Sequence, residues 1–316
     1  MNKLWSTFAM GLILIGGSAV GGPTQKAPQG TITVSGAWAL YPMVLKWAEE
    51  FKKIHPRIRV DVQAGGAGKG MADVLSGMAD LGMVSREVNP DEYKKGAFPV
   101  AVTKDGVVAA VSDRNPGLKD ILSKGMTRAR FIEIWITGKA VSWGQLLGTG
   151  ERASVHVFTR SDACGAADTW AAYLGKRQED LTGIGVYGDP GIADAVRRDP
   201  LGIGYNNVNF AYDAKTLRPV TGLAVVPIDL DESGKIEETE RFYSRRDDLT
   251  RAIAENVYPS PPARELYLVA KGKPAKGGNA AEFLRWILTE GQRHVPETGY
   301  IPLSPERLRE GLDRLK

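Results

Sequence analysis

What most constrains the fold of this chain is a repeated unit: a β-patterned run, a turn of small residues, then a helix-patterned stretch. Residues 31–36 (TITVSG) alternate as a strand, turn through 36–41, and enter a helix where Pro42 suits the first helical turn. Val44, Trp47, Phe51 and Ile54 then recur at helical spacing, with charged residues between them. A second strand, 57–63, runs into AGGAGKG and a helix carrying Met71, Val74, Leu75 and Met78. The order G-x-x-x-x-G-K-S/T is missing there, so this is no nucleotide P-loop. Residues 80–86 (DLGMVSR) follow as a short buried strand ending on a hydroxyl and a guanidinium. Consecutive units of this kind imply an α/β fold with a largely parallel sheet, whose ligands sit at the carboxyl ends of the strands.

The most informative copy of the unit is 155–175, VHVFTRSDACGAADTWAAYLG. A short strand turns at Thr159–Asp162, passes Cys164 and Gly165, and enters a helix with Trp170, Ala171 and Leu174 on one face. The free N–H groups of a first helical turn favour negative charge. Arg160 adds a planar fork suited to an oxyanion, and Asp162 stands two residues on, able to hold that fork. A structural ion pair is the plainer reading of the same two residues.

The ends and the composition place the rest. Residues 1–22 have one positive charge, an apolar core over 8–15 and then small residues. The apolar run is short for a membrane span, so the segment reads as a cleavable secretory signal, with a linker to about residue 30. No cysteine follows it for lipid attachment, which predicts a periplasmic protein. The 41 basic and 37 acidic residues are interspersed, which argues against nucleic acid. Cys164 is the only cysteine and the three histidines lie far apart, so neither an internal disulfide nor a metal site is expected, nor any cofactor. Nearly 290 mature residues suit two lobes. Residues 31–112 would form the first part of lobe I, with 100–111 crossing between lobes. Lobe II would occupy 113–220, including a helix opened by GDPG at 188–191. Residues 221–316 would return to lobe I, with strands at 222–230 and 264–270, a surface loop over 231–248, and helices at 280–288 and 306–315, the last capped by Ser304.

Five blocks, in order, resemble the periplasmic phosphate-binding proteins of the phosphate-specific ABC importer: GAWALYPMVLKWAEEFKK, VDVQAGGAGKGMADVLSGMADLGMVSRE, FTRSDACGAADTWAAYL, GDPGIADAVRRDPLGIGY, and FLRWILTEGQ with ETGYIPL. The resemblance implies a two-lobed type II solute-binding fold that closes on a dehydrated anion. It also implies a monomeric receptor, not an enzyme, that hands inorganic phosphate or a similar oxyanion to membrane permease subunits. Carried over by position, the first loop offers the amides of Leu40 and Tyr41 without a side-chain hydroxyl, and the second loop's serine falls on Ala67. Ser85 is kept at the third strand's end, and Arg160 keeps its partner Asp162. Cys164, Gly165 and Ala166 replace a Ser-Gly-Thr, and Trp38 stands near the expected mouth. The lost hydroxyls at Leu40, Ala67 and Ala166 leave open a degenerate or respecified receptor, for another anion or for a docking partner. Cys164 at a helix start raises a different class, a thiol enzyme or redox sensor.

Overall fold

A computed structural model describes residues 29–140 and 142–316. The expected signal segment, 1–22, lies outside them. Strand β1 (Gly30–Gly36) leads through a short 3-10 turn at Trp38–Leu40 into α1 (Tyr41–Ile54), and β2 (Ile58–Ala64) leads into α2 (Ala67–Ser76). Strand β3 (Leu81–Val84), α3 (Pro90–Lys94) and the long β4 (Ala97–Ser112) follow. Beyond it come α4 (Leu118–Lys124), α5 (Arg128–Trp135), α6 (Trp143–Leu147), β5 (His156–Arg160) and α7 (Gly165–Tyr173). The chain continues through β6 (Ile184–Val186), α8 (Gly188–Arg198), β7 (Gly202–Asn207), α9 (Val208–Ala211) and β8 (Leu223–Val225). It ends with α10 (Arg246–Ala254), β9 (Ala263–Lys271), α11 (Asn279–Leu288) and α12 (Pro305–Leu315). Among the described residues no helix is long and apolar enough to cross a membrane.

The strands run in the order β2-β1-β3-β9-β4-β7-β5-β6, with β8 on the flank of β4. The β1–β2, β1–β3, β5–β6 and β5–β7 pairs are parallel, as the repeated unit requires, whereas the pairs made by β4 and β9 are antiparallel. Two hydrophobic clusters divide the molecule into two lobes. One is built on β1–β3, the first half of β4, β9 and the C-terminal helices; the other on the second half of β4 and the elements through Tyr258. The polypeptide therefore crosses between lobes at β4 and again at β9. The return at 221 anticipated from sequence comes later: β8 pairs with β4 inside lobe II, and α10 packs there through Leu249, Ala252 and Ile253.

Aromatic groups anchor each core. In lobe I, Phe51 lies 4.9 Å from Phe283 and 5.5 Å from Trp286 between ring centroids. In lobe II, Trp170 meets Trp135 edge-on at 5.4 Å and stacks on Tyr205 at 6.0 Å. Such pairs add about 0.5–1.5 kcal/mol beyond their area burial. Three local expectations need correction. Ile54, in the last turn of α1, and Met78, beyond the left-handed Gly77 that ends α2, are both exposed. The 231–248 stretch is not a plain surface loop, because Phe242, Tyr243 and Arg246 are buried within it. Ser304 does cap α12, accepting from the amide of Arg307 at 3.2 Å.

Candidate functional site

Arg160 ends β5, held in place by the core beneath it. The hydroxyl of Tyr205, whose ring stacks on Trp170, accepts from the Arg160 amide at 3.1 Å and shares a hydrogen bond with Thr159 at 2.8 Å. The guanidinium itself is clamped by two carboxylates. Its Nε and Nη2 donate to Asp162 Oδ1 and Oδ2 at 2.8 and 2.7 Å, the fork-to-fork geometry that sequence spacing anticipated. Its Nη1 donates to Asp189 Oδ2 at 2.7 Å. The Arg160 and Asp189 side chains are each 1% exposed. Burial opposes the arginine's charge, but Asp189 and Asp162 outweigh it and hold the group protonated beyond its ordinary range. Three of the five guanidinium N–H groups are thereby committed, and the triad carries one net negative charge.

Asp189 is the main residue missed from sequence. It sits in the first turn of α8, and its Oδ1 accepts from the Asn207 side chain at 2.6 Å and the Asn207 amide at 3.2 Å. Asn207 Oδ1 in turn accepts from Arg264, whose Nε donates to Asp105 at 2.9 Å and whose Nη1 donates to Thr169 Oγ1 at 2.9 Å. Asp105 and Arg264 stand opposite one another in the β4–β9 register. A buried chain of polar groups thus links Arg160 to the two strands that cross between lobes. An aspartate inside the largely apolar run VAVTKDGVVAAV was the available signal, since a buried charge requires a partner.

The second part of the site is the start of α7. Cys164 is its N-cap, and its sulfur accepts from the Ala167 amide at 3.4 Å, as a serine oxygen would. Burial pushes the thiol up to about 12, so the neutral form prevails and the thiolate needed by a thiol enzyme or redox sensor is disfavoured. His156, on the preceding strand, pairs with Asp199 at 2.7 Å. The first-turn amides of Gly165 and Ala166 have no intrahelical acceptor.

Lobe I meets this assembly directly. A Cβ on Gly165 would fall 2.1 Å from the carbonyl oxygen and 2.3 Å from the hydroxyl of Ser85. Glycine is therefore required where the loops after β3 and β5 approach one another. Gly66, the N-cap of α2 with φ +89°, lies beside Asp162, and the Gly68 amide donates to the Ala163 carbonyl at 3.1 Å. The start of α2, beginning at the buried Ala67, is thus covered by the lobe II loop. Trp38 lies against Gly188 and meets Phe210 edge-on at 6.3 Å, which places it across the lobe boundary.

The structure brings Ser85, Ala67, Arg160, Asp162, Cys164, Gly165 and Trp38 to one boundary, but it corrects the first loop. The Leu40 amide donates to Ala37 O at 3.1 Å and the Tyr41 amide to Trp38 O, closing the 3-10 turn. The Leu40 side chain belongs to the lobe I core. Those amides are spent within their own turn, because a chain entering α1 this tightly satisfies its donors locally.

A family model, the PBP superfamily domain, matches residues 21–290. The chain belongs to that superfamily. Among relatives, the phosphate-binding protein PstS of Methanocaldococcus jannaschii is 24% identical, with 96% of this chain and 91% of that protein covered. PstS of Bacillus subtilis is 27% identical, covering 89% and 83%. Among solved structures, a Clostridium perfringens protein described as a phosphate ABC transporter substrate-binding protein, with bound phosphate, superposes with a TM-score of 0.70 at 22% identity. The match covers 87% of this chain and all of that one. That likeness establishes the shared two-lobed superfamily fold.

Proposed function

We propose that this protein is an extracytoplasmic solute receptor that binds an oxyanion, inorganic phosphate first, between its lobes and presents it to an ABC importer. The observation that carries this reading is the clamped Arg160 beside the open first turn of α7, facing Ser85 of the other lobe. The relatives named as phosphate-binding proteins span nearly the whole chain, which supports a receptor and not an enzyme. Asp162 and Asp189 compensate the arginine, so recognition rests on aligned N–H dipoles more than on net positive charge. Closure brings the Gly165 and Ser85 loops together around the anion and excludes water, and the two crossing strands serve as the hinge.

A respecified receptor is the second reading, favoured by the Gly68 amide being bonded to Ala163 and by the missing hydroxyls at Leu40 and Ala67. Calorimetric titration of the signal-free protein with phosphate, sulfate, molybdate and arsenate separates the two. Submicromolar phosphate binding lost in Arg160→Ala is the expected result. Heat from another oxyanion alone identifies respecification, and silence toward all four rejects solute transport.

A further inference from the structure

A cavity of about 410 Å³ opens on the hinge side of the lobe boundary, within the volume range of small-molecule sites. Arg86 and Glu87 from the loop after β3, Lys104 and Glu265 from the crossing strands, and Asp168 from α7 contribute its walls, with Arg264 between them. Arg160, Asp162 and Cys164 do not line it. The Ser85–Gly165 approach separates the two regions, since the residues just after it in each loop face this cavity.

Most of the charged walls are already satisfied. Arg86 donates to both oxygens of Glu92, at 2.9 and 2.7 Å, and to the Glu87 carbonyl at 2.8 Å. Arg264 is held by Asp105, Asn207 and Thr169. Glu265 accepts from Arg307 at 2.8 Å and from Tyr267 at 3.2 Å. Three groups remain under-used. The half-buried Lys104 ammonium and the half-buried Asp168 carboxylate have no hydrogen-bond partner among the described residues. The Glu87 carboxylate has one donor, the Tyr267 hydroxyl at 2.8 Å. Asp168 feels the charges of Arg86 and Arg264 but makes no hydrogen bond to either, so under-bonded groups of both signs face one cavity and mark a place for a ligand with complementary groups.

We infer that this cavity is a second binding site, for a small zwitterion of amino-acid size whose ammonium group meets Asp168 and Glu87 and whose acid group meets Lys104. Arg86 and Arg264 are already bonded, so a simple anion would meet Lys104 but leave Asp168 and Glu87 short of donors, and a simple cation would leave the lysine unmatched; a ligand carrying both charges answers all three. Because the walls come from both lobes, the occupied cavity also favours the closed arrangement.

The test is a titration of the signal-free protein, in phosphate-free buffer, with glycine, γ-aminobutyrate and taurine, beside acetate and ethylammonium as single-charge controls. At least one zwitterion should bind tenfold or more tighter than either control. Its amide-shift map should centre on Arg86, Lys104 and Asp168. Lys104→Met and Asp168→Asn should each weaken it at least tenfold, while Lys104→Arg retains it and the response to phosphate stays within twofold. No heat and no shift from any zwitterion up to about 10 mM overturns the proposal. So does a shift map elsewhere, or binding unchanged in both charge-removing variants. A failure of phosphate binding in the wild type would leave this result readable, because Arg160 takes no part in it.

Discussion

The two walls of the proposed anion site are built on opposite principles. The lobe II wall is charged and over-determined: Arg160 sits between Asp162 and Asp189, Asn207 fixes Asp189, and Arg264 fixes Asn207. The lobe I wall is made of backbone and small side chains, with Ala67 and Gly68 at a helix start and Ser85 at a strand end. One wall is held in place because its charged groups are paired with one another. The other gains its partners from the first, as when the Gly68 amide meets the Ala163 carbonyl. In the receptor proposed above, lobe II would carry the specificity and lobe I would act as a lid whose complementarity comes with closure.

The sharpest way to break this contrast is Arg160→Ala. It strands two buried carboxylates, and removing one partner of a buried pair costs about 3–5 kcal/mol. Chemical denaturation should show that loss, and calorimetry the loss of phosphate binding. Gly165→Ala attacks the meeting of the walls. The added methyl collides with the Ser85 carbonyl, so lobe II should keep its stability while apparent phosphate affinity falls about 100-fold as the competent closed state becomes rare. Small-angle scattering with phosphate should then report an open molecule; an unchanged affinity would show that closure does not need this approach.

Strengthening the weaker wall is the converse experiment. Ala67→Ser adds a hydroxyl at the start of α2, and one hydrogen bond to a charged ligand contributes about 1.5–3 kcal/mol. Phosphate should bind about tenfold tighter or more by calorimetry. If it does not, the covering by Ala163 already excludes the anion from that helix start.

The smallest effect concerns Cys164. Its thiol is raised from 9.0 to about 12 by burial, so between those values the folded state holds a proton that the unfolded state has lost. Stability is therefore full below pH 9 and falls as pH rises toward 12. Between pH 9 and 10 the decline attributable to this group is about 1 kcal/mol. Cys164→Ser keeps an N-cap acceptor without the titration, so its melting temperature should fall less steeply than the wild type's over that interval.

How much of this was legible depended on whether the signal was local. The alternating units, the cap at Ser304, the helix opened by GDPG and the Arg160–Asp162 spacing could be read because each rests on residues within one turn of each other. Asp189 escaped notice because its partners, Arg160 and Asn207, lie 29 and 18 residues away. The Leu40 and Tyr41 amides were assigned to a ligand because sequence does not reveal that a 3-10 turn consumes them. The late return to lobe I was hidden for a related reason. The short β8 pairs with β4 across more than a hundred residues, and no periodicity records which lobe a three-residue strand joins.

The sequence by itself determined the repeated units, the parallel pairings they enforce and the arginine with its nearest carboxylate, since short-range sterics and periodic burial act through neighbouring residues. Tertiary structure decided the second carboxylate on Arg160, the relay to Asp105 through Arg264, and the closeness of Gly165 to Ser85. Those features exist because two cores pack across a pair of crossing strands, and buried charges brought together by that packing must find partners from whichever element lies within reach.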